Sequence, residues 1–103
     1  MSNLLHARCR TDVAALGENE IRDHLAQLSG WHLSGGAIEK SFAFKNYLET
    51  VAFVNALAWI CHTEDHHPEL HVTYDRCVTR FSTHSVSGIS RNDFICATKA
   101  AGV

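Results

Sequence analysis

Apolar positions along the chain switch between helical spacing and alternation, and the switches divide it into seven elements. Ile21, Leu25 and Leu28 fall at i, i+4 and i+7, predicting a helix over about 18–28 that Gly30 ends. Trp31 and Leu33 alternate up to Ser34-Gly35-Gly36, and Ile38, Phe42 and Phe44 alternate beyond it. Two strands around a Gly-Gly turn follow, because glycine reaches the positive φ that a tight hairpin demands. Asn46 with Glu49 three positions later has the spacing of a helix cap and its capping-box acid. Behind it Tyr47, Val51, Val54, Ala58 and Cys61 hold helical spacing, while Phe53, Leu57 and Ile60 widen the stripe. A heavily buried helix over 47 to about 65 is expected, stopped by Pro68, the sole proline.

Residues 70–84 are rich in Val, Thr, Tyr and Phe, with Asp75-Arg76 midway as a tight turn. They predict a second hairpin whose last strand His84 closes. Ser90 and Asp93 repeat the capping-box spacing ahead of an expected closing helix over 94 to about 100. The order αββαββα implies an α+β fold, one four-stranded antiparallel sheet with three helices on one face. Residues 1–12 show no such pattern and are expected to be a loosely ordered N-terminus, leaving 13–103 as a single domain.

Composition removes several function classes. A formal net charge of -2 provides no basic field for phosphates, so nucleic acid is not an expected partner. No stretch approaches the roughly 20 apolar residues needed to cross a bilayer, and no membrane partner is expected. Residues 1–10 hold no cationic segment followed by an apolar one, so no secretory signal is expected. Cys9, Cys61, Cys77 and Cys96 form no CxxC pair. The expected protein is cytoplasmic, with reduced cysteines acting as small buried or half-buried apolar groups.

The candidate chemistry is imidazole. Five of the eight histidines, His62, His66, His67, His71 and His84, lie between positions 62 and 84. His66 and His67 are adjacent at the end of the expected long helix, where the partial negative charge of a helix C-terminus favours imidazolium. His6, His24 and His32 are read as solvated or hydrogen-bonded side chains, and His71 is given no role. A zinc site is the competing reading, because His62 and His66 are four apart on a predicted helix. The HExxH motif is absent and no cysteine or second carboxylate pair completes such a site, so no metal is expected.

The run His66-His67-Pro68-Glu69, then Tyr74, Ser82-Thr83-His84, Gly88, and Ser90 through Asp93, resembles the signature of the pterin-4a-carbinolamine dehydratase family. Five residues separate Pro68 from Tyr74, nine separate Tyr74 from His84, and eight separate His84 from Asp93. The resemblance spans about 31–100, with Trp31 and Phe42-x-Phe44 at the family's first hairpin. It implies catalytic roles for His66, His67 and His84. His66 and His84 would be acids, each for one stereochemical form of the hydroxyl, and His67 would hold the pterin and assist as base. It also implies pterin contacts from Asp65, Ser82 and Thr83, and a supporting part for His62 and Asp93.

Two departures stand out. The family often carries glutamate where this chain has His62, which can still reach His66 across one helical turn but brings no fixed negative charge. Leu70 replaces a common tryptophan and alters one pocket wall. Asp93 has an equal structural claim as the capping residue of the last helix. The family's reaction dehydrates 4a-hydroxytetrahydrobiopterin to the quinonoid dihydropterin, without metal or cofactor. Resemblance further implies a homodimer or homotetramer and a functional link to an aromatic amino acid hydroxylase. Animal relatives also dimerise a homeodomain transcription factor, so an interaction module is the second competing reading.

Overall fold

The structure, a computed structural model, describes residues 4–103. Its elements are α1 (Glu18–Leu25), β1 (His32–Ser34), β2 (Ala37–Ala43), α2 (Tyr47–Glu64), β3 (Glu69–Val72), β4 (Arg76–Phe81) and α3 (Arg91–Ala100), with short 3-10 turns at Leu4–His6 and His84–Val86. The strands form one antiparallel sheet in the order β1-β2-β4-β3. The helices cover its apolar face, so the expected α+β architecture and element order hold.

Local chemistry sets the boundaries. Gly35 and Gly36 take φ of 54° and 79° and turn β1 into β2, a conformation that costs glycine little. Asn46 accepts the Glu49 N–H at 2.9 Å and starts α2, while the Glu49 carboxylate accepts from the Lys45 N–H. At the far end the helix is not stopped by Pro68. Asp65 adopts a left-handed conformation (φ 53°, ψ 42°) directly after Glu64. The His66 N–H then bonds the Cys61 carbonyl at 3.0 Å, so backbone reversal ends the helix before the proline is reached. The first helix is also shorter than expected. Residues 26–28 tighten into three-residue turns, with the Leu28 N–H on the Leu25 carbonyl, ahead of Gly30 at φ 85°.

The core is built from Ile38, Leu57, Phe81, Phe94 and Ile95, with Trp31 and Phe53 packed around them. The buried side of α2 is Thr50, Phe53, Leu57, Cys61 and Glu64, so Phe53, Leu57 and Cys61 of the expected stripe are buried and its Tyr47 and Ala58 are not. Tyr47, Leu48 and Trp59 are 55%, 77% and 73% exposed, and Ala58 also faces outwards. This helix is apolar on nearly every side, so spacing alone cannot say which side meets the sheet. Cys61, Cys77 and Cys96 are buried free thiols and Cys9 is half-buried, with its sulfur 3.7 Å from that of Cys96.

The segment 4–12, expected to be loosely held, is tied to the helices by polar contacts that carry no periodic signal. Leu4 is buried in the core, and the Cys9 N–H donates to Glu64 Oε1 at 2.8 Å. Glu64 also pairs with Arg8 Nε at 2.9 Å and Lys99 Nζ at 3.2 Å. Burial pushes the Glu64 carboxyl up, but the Cys9 N–H, Lys99 and Arg8 together outweigh it and hold the group below its ordinary value of 4.5. A carboxyl lowered on folding contributes stability above its unfolded value and loses it as pH falls through the folded one. We therefore expect Glu64→Gln to cost about 1–2 kcal/mol at neutral pH. The gap from wild type should close in urea titrations carried well below pH 4.5. A constant gap at all pH values would contradict this account of the carboxylate.

Candidate active site

Where α2 stops, the left-handed turn at Asp65 swings His66 inward beneath the sheet. The imidazole lies nearly parallel to the Phe81 ring, with centroids 6.1 Å apart, and its side chain is 11% exposed. Its Nε2 stands 2.6 Å from Asp93 Oδ1. Asp93 is completely buried in the first turn of α3. Its other oxygen accepts from Thr83 Oγ1 at 2.7 Å and from the Ser90 N–H at 2.9 Å. The Ser90 hydroxyl is 2.6 Å from that of Thr83 and caps α3, also accepting from the Asn92 N–H at 3.2 Å. Asp93 thus holds the helix cap and the histidine with one carboxylate.

A carboxylate at this distance keeps the proton on Nε2 and leaves Nδ1 as the nitrogen open to other chemistry. His62 plays no such part. Because α2 ends at Glu64, His62 and His66 do not share a helical face, and the expected bond across one turn is replaced by the bond to Asp93. The carboxylate that stands against His66 is Asp93, from α3. Among the described residues, no group of three or more His, Cys, Asp or Glu side chains is arranged to hold a metal ion.

His84 is not the end of the last strand. β4 ends at Phe81, and Thr83 pairs with Gly88 across a short loop that carries His84 in a 3-10 turn. This loop brings His84 over the end of α2. Asp65, His66, His67, Ser82, Thr83 and His84 all line one half-open cavity of about 390 Å³, within the size range of small-molecule sites. His67 and His84 face solvent within it, whereas His66 is held from behind. Of the sequence-derived site residues, His62 alone lies away from the wall, and Asp93 acts from behind it. Thr83 is 5% exposed, with its hydroxyl spent on Asp93 and Ser90.

Arg10, Thr11, Val13, Ser85 and Asn92 complete the lining and were not anticipated. Residues 10–13 have no periodicity, and only the position of Asn92 beside Asp93 in the motif hinted at involvement. Among the histidines read as structural, His24 stacks on Phe94 at 4.7 Å and His32 lies 3.4 Å from Glu39.

Comparison with known proteins gives a consistent result. Residues 14–103 match the family model described as pterin 4 alpha carbinolamine dehydratase. A Bdellovibrio bacteriovorus protein named as a pterin-4-alpha-carbinolamine dehydratase is 56% identical over 102 residues, covering 95% of this chain and 85% of its own. A Stenotrophomonas maltophilia protein of the same name is 53% identical over 105 residues, covering 97% and 90%. Among solved structures, a Brucella melitensis protein titled transcriptional coactivator/pterin dehydratase superposes with a TM-score of 0.82 at 33% identity, covering 85% of this chain and 96% of its own.

Proposed function

Because the chain belongs to the pterin 4 alpha carbinolamine dehydratase family, whose members are hydro-lyases, we propose that it dehydrates 4a-hydroxytetrahydrobiopterin by histidine acid–base catalysis. The observation that carries this reading is the convergence of His66, His67 and His84 on one cavity, with Asp93 behind the first of them. Hydroxide is a poor leaving group, so the C4a–O bond breaks only as an acid protonates the oxygen. The electrons that expel water come from N5, whose proton a base removes. Imidazole serves both tasks near neutrality, since its ordinary pKa is about 6.5.

In this reading His66 donates from Nδ1 while Asp93 balances the imidazolium from the other nitrogen. His84 is the acid for the opposite stereochemical form, and His67 holds the ring and takes the N5 proton. Asp65, Ser82 and the Thr83 backbone meet the amide-like edge of the pterin. His62 serves no part in it. Its product would return to tetrahydrobiopterin for an aromatic amino acid hydroxylase in the cytoplasm. The test is stopped-flow absorbance of freshly generated carbinolamine, with the protein in a chelator. Dehydration well above the spontaneous rate is expected. A rate equal to the spontaneous one would overturn the proposal.

The exposed side of α2 supports the homo-oligomer. Leu48, Ala52, Asn55 and Trp59 stand at i, i+4, i+7 and i+11 and all face outwards. A helix so apolar is normally covered, and a second copy of this chain is the occupant we propose. Sedimentation should give a dimer or tetramer for wild type and a smaller species for Trp59→Glu with unchanged circular dichroism. An unchanged mass would place the contact elsewhere.

A further inference from the structure

Residues 10–13 lie just ahead of the part of the chain that the family model matches, yet Arg10, Thr11 and Val13 form a wall of the histidine cavity. The segment is outside any helix or strand, but its backbone is fixed. The Asn92 side chain grips Arg10 from both sides: Oδ1 accepts the Arg10 N–H at 3.0 Å, and Nδ2 donates to the Arg10 carbonyl at 2.7 Å. One residue earlier, the Cys9 N–H is held by Glu64. Asn92 is 5% exposed and directly precedes Asp93, so the first turn of α3 anchors the wall and His66 together. The wall is therefore registered against the catalytic imidazole.

We infer that residues 10–13 are a specificity wall that reads the C6 substituent of the pterin, with Asn92 as its positioning residue. This rests on the proposal that the cavity is a pterin site. Acid–base groups must address C4a and N5, and C6 is the ring atom next to N5. A C6 substituent therefore projects past the histidines towards the open mouth, where Arg10 and Thr11 are exposed. The wall offers guanidinium N–H groups and a hydroxyl. Two of the Arg10 donors fork onto Asp12, with Nε to Oδ1 and Nη2 to Oδ2 both at 2.9 Å. That pairing offsets the arginine charge and leaves its other N–H groups to donate. Such a surface suits a neutral hydroxylated substituent better than an anionic tail or a bare methyl.

The experiment compares two carbinolamines that differ only at C6, one bearing a dihydroxypropyl group and the other a methyl group. Wild type should favour the dihydroxypropyl substrate in kcat/KM by about threefold to tenfold, the worth of one or two hydrogen bonds, and the difference should lie in KM. The double variant Arg10→Met with Thr11→Val, at exposed positions, removes both the N–H donors and the hydroxyl and should bring that ratio close to one. Asn92→Ala should do the same by releasing the wall, with thermal unfolding run alongside to verify folding. A wild-type ratio near one, or a ratio unchanged in the double variant, would overturn the inference while leaving the dehydratase reading standing. Failure of wild type to turn over either substrate would remove both.

Discussion

Replacing His66 and His84 together with alanine is expected to slow carbinolamine dehydration by about 100-fold or more, and each single replacement by at least about tenfold. The two imidazoles occupy different elements, one behind α2 and one in the loop after β4, and meet at the same cavity. Loss of either removes one acid, and loss of both leaves only His67 to move a proton. The variants should also separate in stability. His84 is exposed, so its loss should leave the unfolding midpoint close to wild type. Removing His66 strips a donor from the buried Asp93 carboxylate and should cost about 1–3 kcal/mol while the chain still folds. Stopped-flow rates at saturating enzyme read the chemistry, and urea titration reads the fold. A wild-type rate in the double variant would end the acid–base mechanism.

Asp93 is expected to show the largest combined effect on fold and activity. Alanine at this position leaves His66 Nε2 and the Ser90 N–H without their acceptor, and the Thr83 hydroxyl with only that of Ser90, among groups that are largely buried. The expected loss of stability is about 2–4 kcal/mol, from unsatisfied buried donors and a broken capping box. Asparagine separates the two roles. With its oxygen facing Thr83 and Ser90, its NH₂ faces His66 and drives the ring proton from Nε2 to Nδ1. The helix cap survives, but a neutral imidazole in that tautomer has no counter-charge behind it when a proton must be delivered. Asp93→Asn should thus keep most of the stability and lose about tenfold to 100-fold in kcat. Equal kcat in Asp93→Asn and wild type would reduce this residue to a helix cap.

These two residues also show how much of the molecule could be read beforehand. Fold class and element order followed from periodicity and caps, because Gly35-Gly36, Asn46 and Ser90 act through local backbone chemistry. Ser90 and Asp93 were legible as a cap, and the structure adds that the same carboxylate reaches His66, a contact 27 residues distant in the chain. That contact depends on Asp65 taking a left-handed conformation, which aspartate adopts less readily than glycine and which no spacing rule announces. The same turn removed His62 from the position expected of it. On α2, Phe53, Leu57 and Cys61 of the expected stripe are buried but Tyr47 and Ala58 face outwards, because Leu48 and Trp59 make the opposite side as apolar and blur the direction that faces the sheet. Residues 10–13 gave no signal, since their place is set by single hydrogen bonds to Asn92 and Glu64 and not by a repeated pattern.

The most direct test of the imidazole cluster is a nitrogen-15 NMR titration of the histidine side chains with a stable pterin analogue that lacks the 4a-hydroxyl. Resonances of His66, His67 and His84 should move together with a single binding constant, while those of His6, His32 and His71 stay in place. Movement confined to histidines outside the cavity, or saturation of His66 and His84 at different ligand concentrations, would contradict a single catalytic pocket.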